Sequence, residues 1–107
     1  MHSVAGCTGS GLGSFLFPLL KDYYPTKEIY SFSLYSANVP YPQTYIYNSI
    51  LAQKNLSEDV DAIITLSNEQ FHHILIRCLK LQPPFLKEMN GLTGIVTTGV
   101  TSSLRQS

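Results

Sequence analysis

The sequence predicts an α/β fold, a parallel sheet flanked by helices. Three patterns carry that expectation. Residues 29–35 alternate, with Tyr30, Phe32 and Leu34 set against Ser31 and Ser33, the two-residue period of a strand. Residues 60–66 are nearly all apolar and include Ile63 and Ile64, as expected of a buried parallel strand. Around them lie segments with helical spacing. The clearest is Phe71, Ile74, Leu75, Cys78 and Leu79 at i, i+3, i+4, i+7 and i+8, which predicts a buried stripe.

Taken in order, residues 10–24 read as a helix with Leu12, Phe15, Leu16, Leu19 and Leu20 on one side and Pro25 as its stop. Pro18 lies inside that helix, where it removes a hydrogen bond and costs about 3 kcal/mol unless the helix kinks. Residues 36–46 contain Pro40 and Pro42 and read as a loop, and residues 47–55 as a short helix. Ser67 and Gln70 form a capping box that opens the helix carrying the apolar stripe, and Pro83-Pro84 ends it. From Leu86 onward the local signals conflict. Leu92, Val96, Val100 and Leu104 fall at helical spacing, but Gly91, Gly94, Gly99 and many β-branched residues disfavour helix. Ligands of parallel sheets sit at the carboxyl ends of the strands. That edge would gather the turn before Ser10, the segment 36–46 and Ser67-Asn68.

The run Ala5-Gly6-Cys7-Thr8-Gly9-Ser10-Gly11 is the candidate for chemistry. Small residues let backbone N–H groups approach an anion closely, and a helix starting at Ser10 or Gly11 adds its N-terminal partial charge. A phosphate, hence a nucleotide, suits that arrangement. The bland alternative is a flexible turn before a core helix. The run is not a Walker loop, because no lysine occurs before Lys21. Nor is it the dinucleotide fingerprint, because Gly9, Gly11 and Gly13 give G-x-G-x-G.

Composition sets bounds. A chain of 107 residues is one domain at most, and its 44% apolar content suffices for a core. Charged residues are 13%, about half the usual share of roughly 25%, as expected where faces are meant for neighbours. The net charge of zero argues against nucleic acid as a partner. No signal peptide is evident, and the longest apolar run, residues 15–20, is too short to span a membrane. Two cysteines, Cys7 and Cys78, are too few for a disulfide framework and fit a reducing cytosol. His72, His73 and Cys78 do not make a zinc site, because adjacent helical residues point different ways and no Cys-x-x-Cys or His-x-x-x-His pair exists.

The small-residue run resembles the tubulin and FtsZ signature, small-Gly-Gly-Thr-Gly-Ser/Ala-Gly, in six of its seven positions. The resemblance continues in order along the chain. It takes in His2-Ser3-Val4 before the run, Leu12-Gly13-Ser14 after it, and Lys21-Asp22-Tyr23-Tyr24-Pro25. Beyond these come Phe32-Ser33-Leu34-Tyr35, Tyr47-Asn48-Ser49-Ile50-Leu51 and Asn68-Glu69. Leu79-Lys80-Leu81, Pro84, Asn90 and Thr101-Ser102-Ser103-Leu104-Arg105 complete it. The sequence is thereby identified as a divergent tubulin, expected to be a fragment. The resemblance implies a partial, Rossmann-like GTPase domain over residues 1–107, from the phosphate loop to the start of a buried central helix.

The same resemblance implies GTP or GDP as the ligand, with Mg²⁺ arriving on the nucleotide and no protein ligand for it identified. It implies that Thr8 bonds a terminal phosphate and that Gly6, Gly9, Ser10 and Gly11 supply backbone N–H groups. Cys7 replaces a family glycine. If that position needs φ > 0 or a close phosphate approach, its Cβ costs about 1 kcal/mol or more, and erosion of the site is preferred to a redox role. By resemblance, Asn68 and Asn90 match the asparagines that read the guanine edge, Asn48 a position near the nucleotide, and Leu86 the tyrosine that stacks on the base. An amide supplies both a donor and an acceptor, as guanine requires. Asn48 and Asn68 also read as helix caps, Asn90 as a polar helix residue and Thr8 as a turn residue.

Three departures point away from full activity. The acidic ribose contact is Tyr45, the loop before it is a residue short and lacks acids, and Leu86 gives up aromatic stacking, although Phe85 is adjacent. The family segment that triggers hydrolysis on a neighbouring subunit has no counterpart in this sequence, so GTP binding that is weak or absent, and no turnover, are expected. The competing reading is a degenerate segment without nucleotide that acts as a structural or interaction domain. The implied partners are other tubulin subunits, with no nucleic acid and no membrane, and the implied location is the cytoplasmic cytoskeleton.

Overall fold

The computed structural model describes residues 1–35, 43–80 and 86–106. It divides into two compact units, residues 1–66 and 67–107.

The first unit is a three-stranded parallel sheet in the order β1-β2-β3, with β1 His2–Ser3, β2 Tyr30–Tyr35 and β3 Ala62–Ser67, the last ending at the unit boundary. β1 pairs with β2 in parallel, with His2 opposite Ser33 and Ser3 opposite Leu34. Helices α1 (Cys7–Tyr23) and α2 (Thr44–Asp59) follow β1 and β2, so the predicted α/β alternation is present. Val4, Ala52 and Leu56 form the core cluster, with Phe17, Tyr35, Val60 and Ile63 packed against it. Phe32 and Leu66 are also buried. Of the strand predicted over 60–66, only Leu66 is fully buried; Ala62, Ile63 and Ile64 are half-buried.

Three expectations for this unit need correction. α1 starts at Cys7 rather than Ser10, so most of the supposed loop is the first two helical turns. The apolar side of α1 is not its buried side. Leu12, Phe15, Leu16, Leu19 and Leu20 are exposed, whereas Ser10 and Ser14 are buried. The reason is close approach: a Cβ on Gly9 would lie 2.6 Å from the Ser3 carbonyl oxygen, and one on Gly13 3.0 Å from the His2 ring. Only small residues fit against β1, so the large ones turn away. The loop expected over 36–46 falls mostly on residues 36–42, outside the described residues, while Thr44–Ile46 already belong to α2. The helix runs through Pro18 as predicted from the pattern.

The carboxylate of Asp61, just before β3, accepts from the Ile29 amide at 2.8 Å and from Lys21 Nζ at 3.0 Å. It thereby ties the C-terminal end of α1 to the strands. The Ile29 N–H first, and Lys21 second, hold its carboxyl below its ordinary pKa.

The second unit contains α3 (Asn68–Arg77) and α4 (Leu86–Arg105), which pack on each other. The stripe on α3 is covered only in part. Phe71 and Leu75 are buried and Ile74 is exposed, while Cys78 and Leu79, also exposed, fall beyond the end of the helix at Arg77. Ser67 is the N-cap, yet its side chain makes no capping hydrogen bond, so that half of the predicted capping box does not form. Glu69 in the first turn complements the helix dipole. Residues 86–105 are helical despite their glycines, but none of them is buried, contrary to the buried helix expected. Val100 and Leu104, two of its four face residues, are exposed. α3 ends at Arg77, with Cys78 as its C-cap and Lys80 at a φ of 53°, so the helix stops short of the Pro83-Pro84 stop expected for it, which lies outside the described residues.

Candidate functional site

The site is built at the start of α1. β1 delivers the chain through buried Val4 and Ala5 to Gly6, whose φ of −74° and ψ of 151° place it in the extended N-cap conformation. The first intrahelical bond runs from the Ser10 amide to the Gly6 carbonyl at 2.9 Å. The amides of Gly6, Cys7, Thr8 and Gly9 therefore have no intrahelical acceptor. No side chain caps this end and no acidic residue lies in the first turn. An α-helix start of this kind keeps its partial positive charge available to an anion.

The side chains follow from the helix phase. Gly6, Cys7, Thr8 and Gly11 are exposed, Gly9 is half-buried and Ser10 is buried. The Ser10 hydroxyl donates to the Gly6 carbonyl at 2.5 Å, so both its hydroxyl and its amide are engaged at Gly6. Cys7 has no positive φ, which removes the backbone objection to a side chain there. Nothing lies within 4 Å of a Cβ added to Gly11, so its face is open.

The structure brings Asn48 to this end of the molecule. Ser10, Gly11 and Ser14 from α1 and Asn48, Ala52 and Asn55 from α2 line a cleft of about 150 Å³. The buried Ser14 Oγ on its wall has no hydrogen-bond partner. Tyr45, in place of the acidic ribose contact, is half-buried in the first turn of α2. In the second unit, Asn68 is the exposed first residue of α3, and Leu86 and Asn90 are exposed in the first two turns of α4. Phe85, the alternative to Leu86, lies outside the described residues. Among the described residues no three His, Cys, Asp or Glu side chains group as a metal site would require.

Sequence reasoning assigned no role to His2. Its Nδ1 lies 2.9 Å from the Gly9 carbonyl oxygen and its Nε2 3.2 Å from Ser33 Oγ. The signal available beforehand was an aromatic, polar residue immediately preceding a run of small ones.

A short parallel strand entering an uncapped helix through small residues is how α/β nucleotide-binding folds present amides to a phosphate. The profile of the Tubulin/FtsZ family, GTPase domain, matches residues 1–75. The Tubulin beta-2 chain of Suillus bovinus is 39% identical over 106 residues, which is 98% of this chain and 24% of that protein. The chain belongs to the Tubulin/FtsZ family and spans about a quarter of the length of this relative.

Proposed function

We propose that this chain is a guanine-nucleotide-binding segment of a tubulin-like cytoskeletal subunit. The observation that carries the reading is the start of α1, which combines free amides, an exposed Thr8 hydroxyl and a first turn without acids or a side-chain cap. In this reading the amides of Gly6, Cys7, Thr8 and Gly9 hold the phosphates and Thr8 donates to a terminal phosphate oxygen. Ser10 and Gly11 shape the approach, and Asn48 borders it. The family assigns the guanine edge to Asn68 and Asn90 and the base face to Leu86, where an aliphatic side chain packs without aromatic stacking. Mg²⁺ arrives on the nucleotide phosphates. None of these residues supplies a group that activates water, so their role is binding. Residues 1–107 then represent part of a GTPase domain, with other tubulin subunits as partners and the cytoplasmic cytoskeleton as location.

Titration of the 107-residue chain with fluorescent GTP tests this. Saturable binding with Kd between about 10 μM and 1 mM is expected, weakened about tenfold by Thr8→Ala or Asn90→Ala. Preference for GTP over ATP is the second requirement. Absence of saturation at about 1 mM GTP, or equal affinity for ATP, overturns the reading. The alternative is then a segment that serves only as an interaction domain. The exposed Leu12, Phe15, Leu16, Leu19 and Leu20 favour that alternative, as does Tyr45 in place of a carboxylate.

A further inference from the structure

His2 in β1 reaches two other elements, α1 and β2, with one ring. Nδ1 is 2.9 Å from the carbonyl oxygen of Gly9 in α1, and Nε2 is 3.2 Å from Ser33 Oγ in β2. The ring also meets Phe17 of α1 edge-on, with centroids 5.4 Å apart. A carbonyl oxygen only accepts, so Nδ1 carries a proton. In the neutral ring Nε2 then accepts from the Ser33 hydroxyl. Ser33 Oγ lies 2.9 Å from Ser31 Oγ, which donates to it in turn. Both serines are buried, so each hydroxyl depends on its protein partner, and each bond polarises the next. The result is one directed chain from Ser31 through Ser33 and His2 to Gly9.

The packing beside this chain leaves no slack. A Cβ on Gly13 would lie 3.0 Å from His2 Nδ1, and one on Gly9 2.6 Å from the Ser3 carbonyl oxygen. The first turns of α1 therefore sit directly on β1, with the His2 ring setting how far they can tilt. Ligand-binding groups need placement within about 0.5 Å, which requires support from behind. Nothing else described on the sheet side bonds to the first turn of α1 through a side chain.

We propose that His2 is a positioning residue for nucleotide binding. By holding the Gly9 carbonyl it fixes the direction in which the amides of Cys7, Thr8 and Gly9 point. The identity of the ligand rests on the reading under Proposed function; the clamp itself does not.

The test has two arms on the full 107-residue chain. Nitrogen-15 NMR without nucleotide should show His2 protonated at Nδ1; a ring protonated at Nε2 alone overturns the proposal. In fluorescent GTP titrations, three variants separate geometry from packing. His2→Asn places an amide donor near Nδ1, His2→Gln reaches instead toward the Nε2 position, and His2→Phe keeps only ring shape. His2→Asn should bind within about threefold of the parent, and His2→Gln and His2→Phe about tenfold more weakly or worse. Affinity that tracks melting temperature rather than the Nδ1 donor overturns the proposal. If the parent chain binds no GTP, the nucleotide reading has failed and the clamp is judged by amide exchange. Exchange at residues 7–9 should be faster in His2→Gln and His2→Phe than in His2→Asn; equal rates in all three overturn it.

Discussion

Helix α1 carries Gly9, Gly11 and Gly13 in its first two turns, and α4 carries Gly91, Gly94 and Gly99 along its length. By propensity the two sets are equal, each glycine weakening its helix by about 0.5–1 kcal/mol relative to alanine. Their surroundings differ. A Cβ on Gly9 or Gly13 would meet β1 at 2.6 Å and 3.0 Å, whereas Cβ atoms on the three glycines of α4 would meet nothing within 4 Å. In α1 two glycines are the condition for seating the helix on the sheet. In α4, within this chain, they are an uncompensated weakness in a helix without a buried residue. Glycine in a helix is thus informative only once its neighbours are known.

Breaking the seat of α1 should have the largest effect. Gly9→Ala drives a methyl into the Ser3 backbone and should cost about 2–3 kcal/mol in urea unfolding. A loss below about 0.5 kcal/mol would mean that α1 can lift off β1 freely. Hydrogen exchange sharpens the contrast next. Amides in the middle of α4 should exchange far faster than those around Ser10–Ser14, because helices without buried contacts open locally. Strong protection of α4 would contradict the comparison.

Gly94→Ala should act in the opposite direction to Gly9→Ala. It should raise the helicity of α4 and stabilise it by about 0.5–1 kcal/mol, read by circular dichroism and thermal melting. Destabilisation would reveal a neighbour packed on that glycine.

The smallest effect is expected from acid. Asp61 accepts from Ile29 and Lys21, and its folded pKa is lowered. Its contribution is complete above the pKa of the unfolded carboxyl and is lost as pH falls through the lower folded value. The pair is exposed and screened, so the term is small. Asp61→Asn should flatten the acid limb of the stability profile of the first unit; an unchanged limb would show that the tie at the end of α1 contributes nothing.

The alternation of Tyr30–Tyr35 and the apolar run ending at Leu66 made the strands legible, whereas from Leu86 onward the local signals conflicted and the family resemblance pointed to helix. The strand patterns are local periodicities, and they survive because strand repeat distances belong to the backbone. The small-residue run was legible as a place of close backbone approach, since its composition states how near a second segment can come. Tertiary structure alone decided where the run becomes helix, which side of α1 is buried, and which hydroxyls are spent. Ser10 looked like a ligand donor and is engaged at Gly6. Leu12, Phe15 and Leu16 looked like core and are exposed, while Ser14 is buried. The two bonds of His2 were set by folding, which brings its ring against Gly9 in the next helix and Ser33 thirty-one residues on. Periodicity reports how a segment could be covered; which of its faces is covered depends on how near a second segment comes, and that distance is set by pairs of residues that only folding brings together.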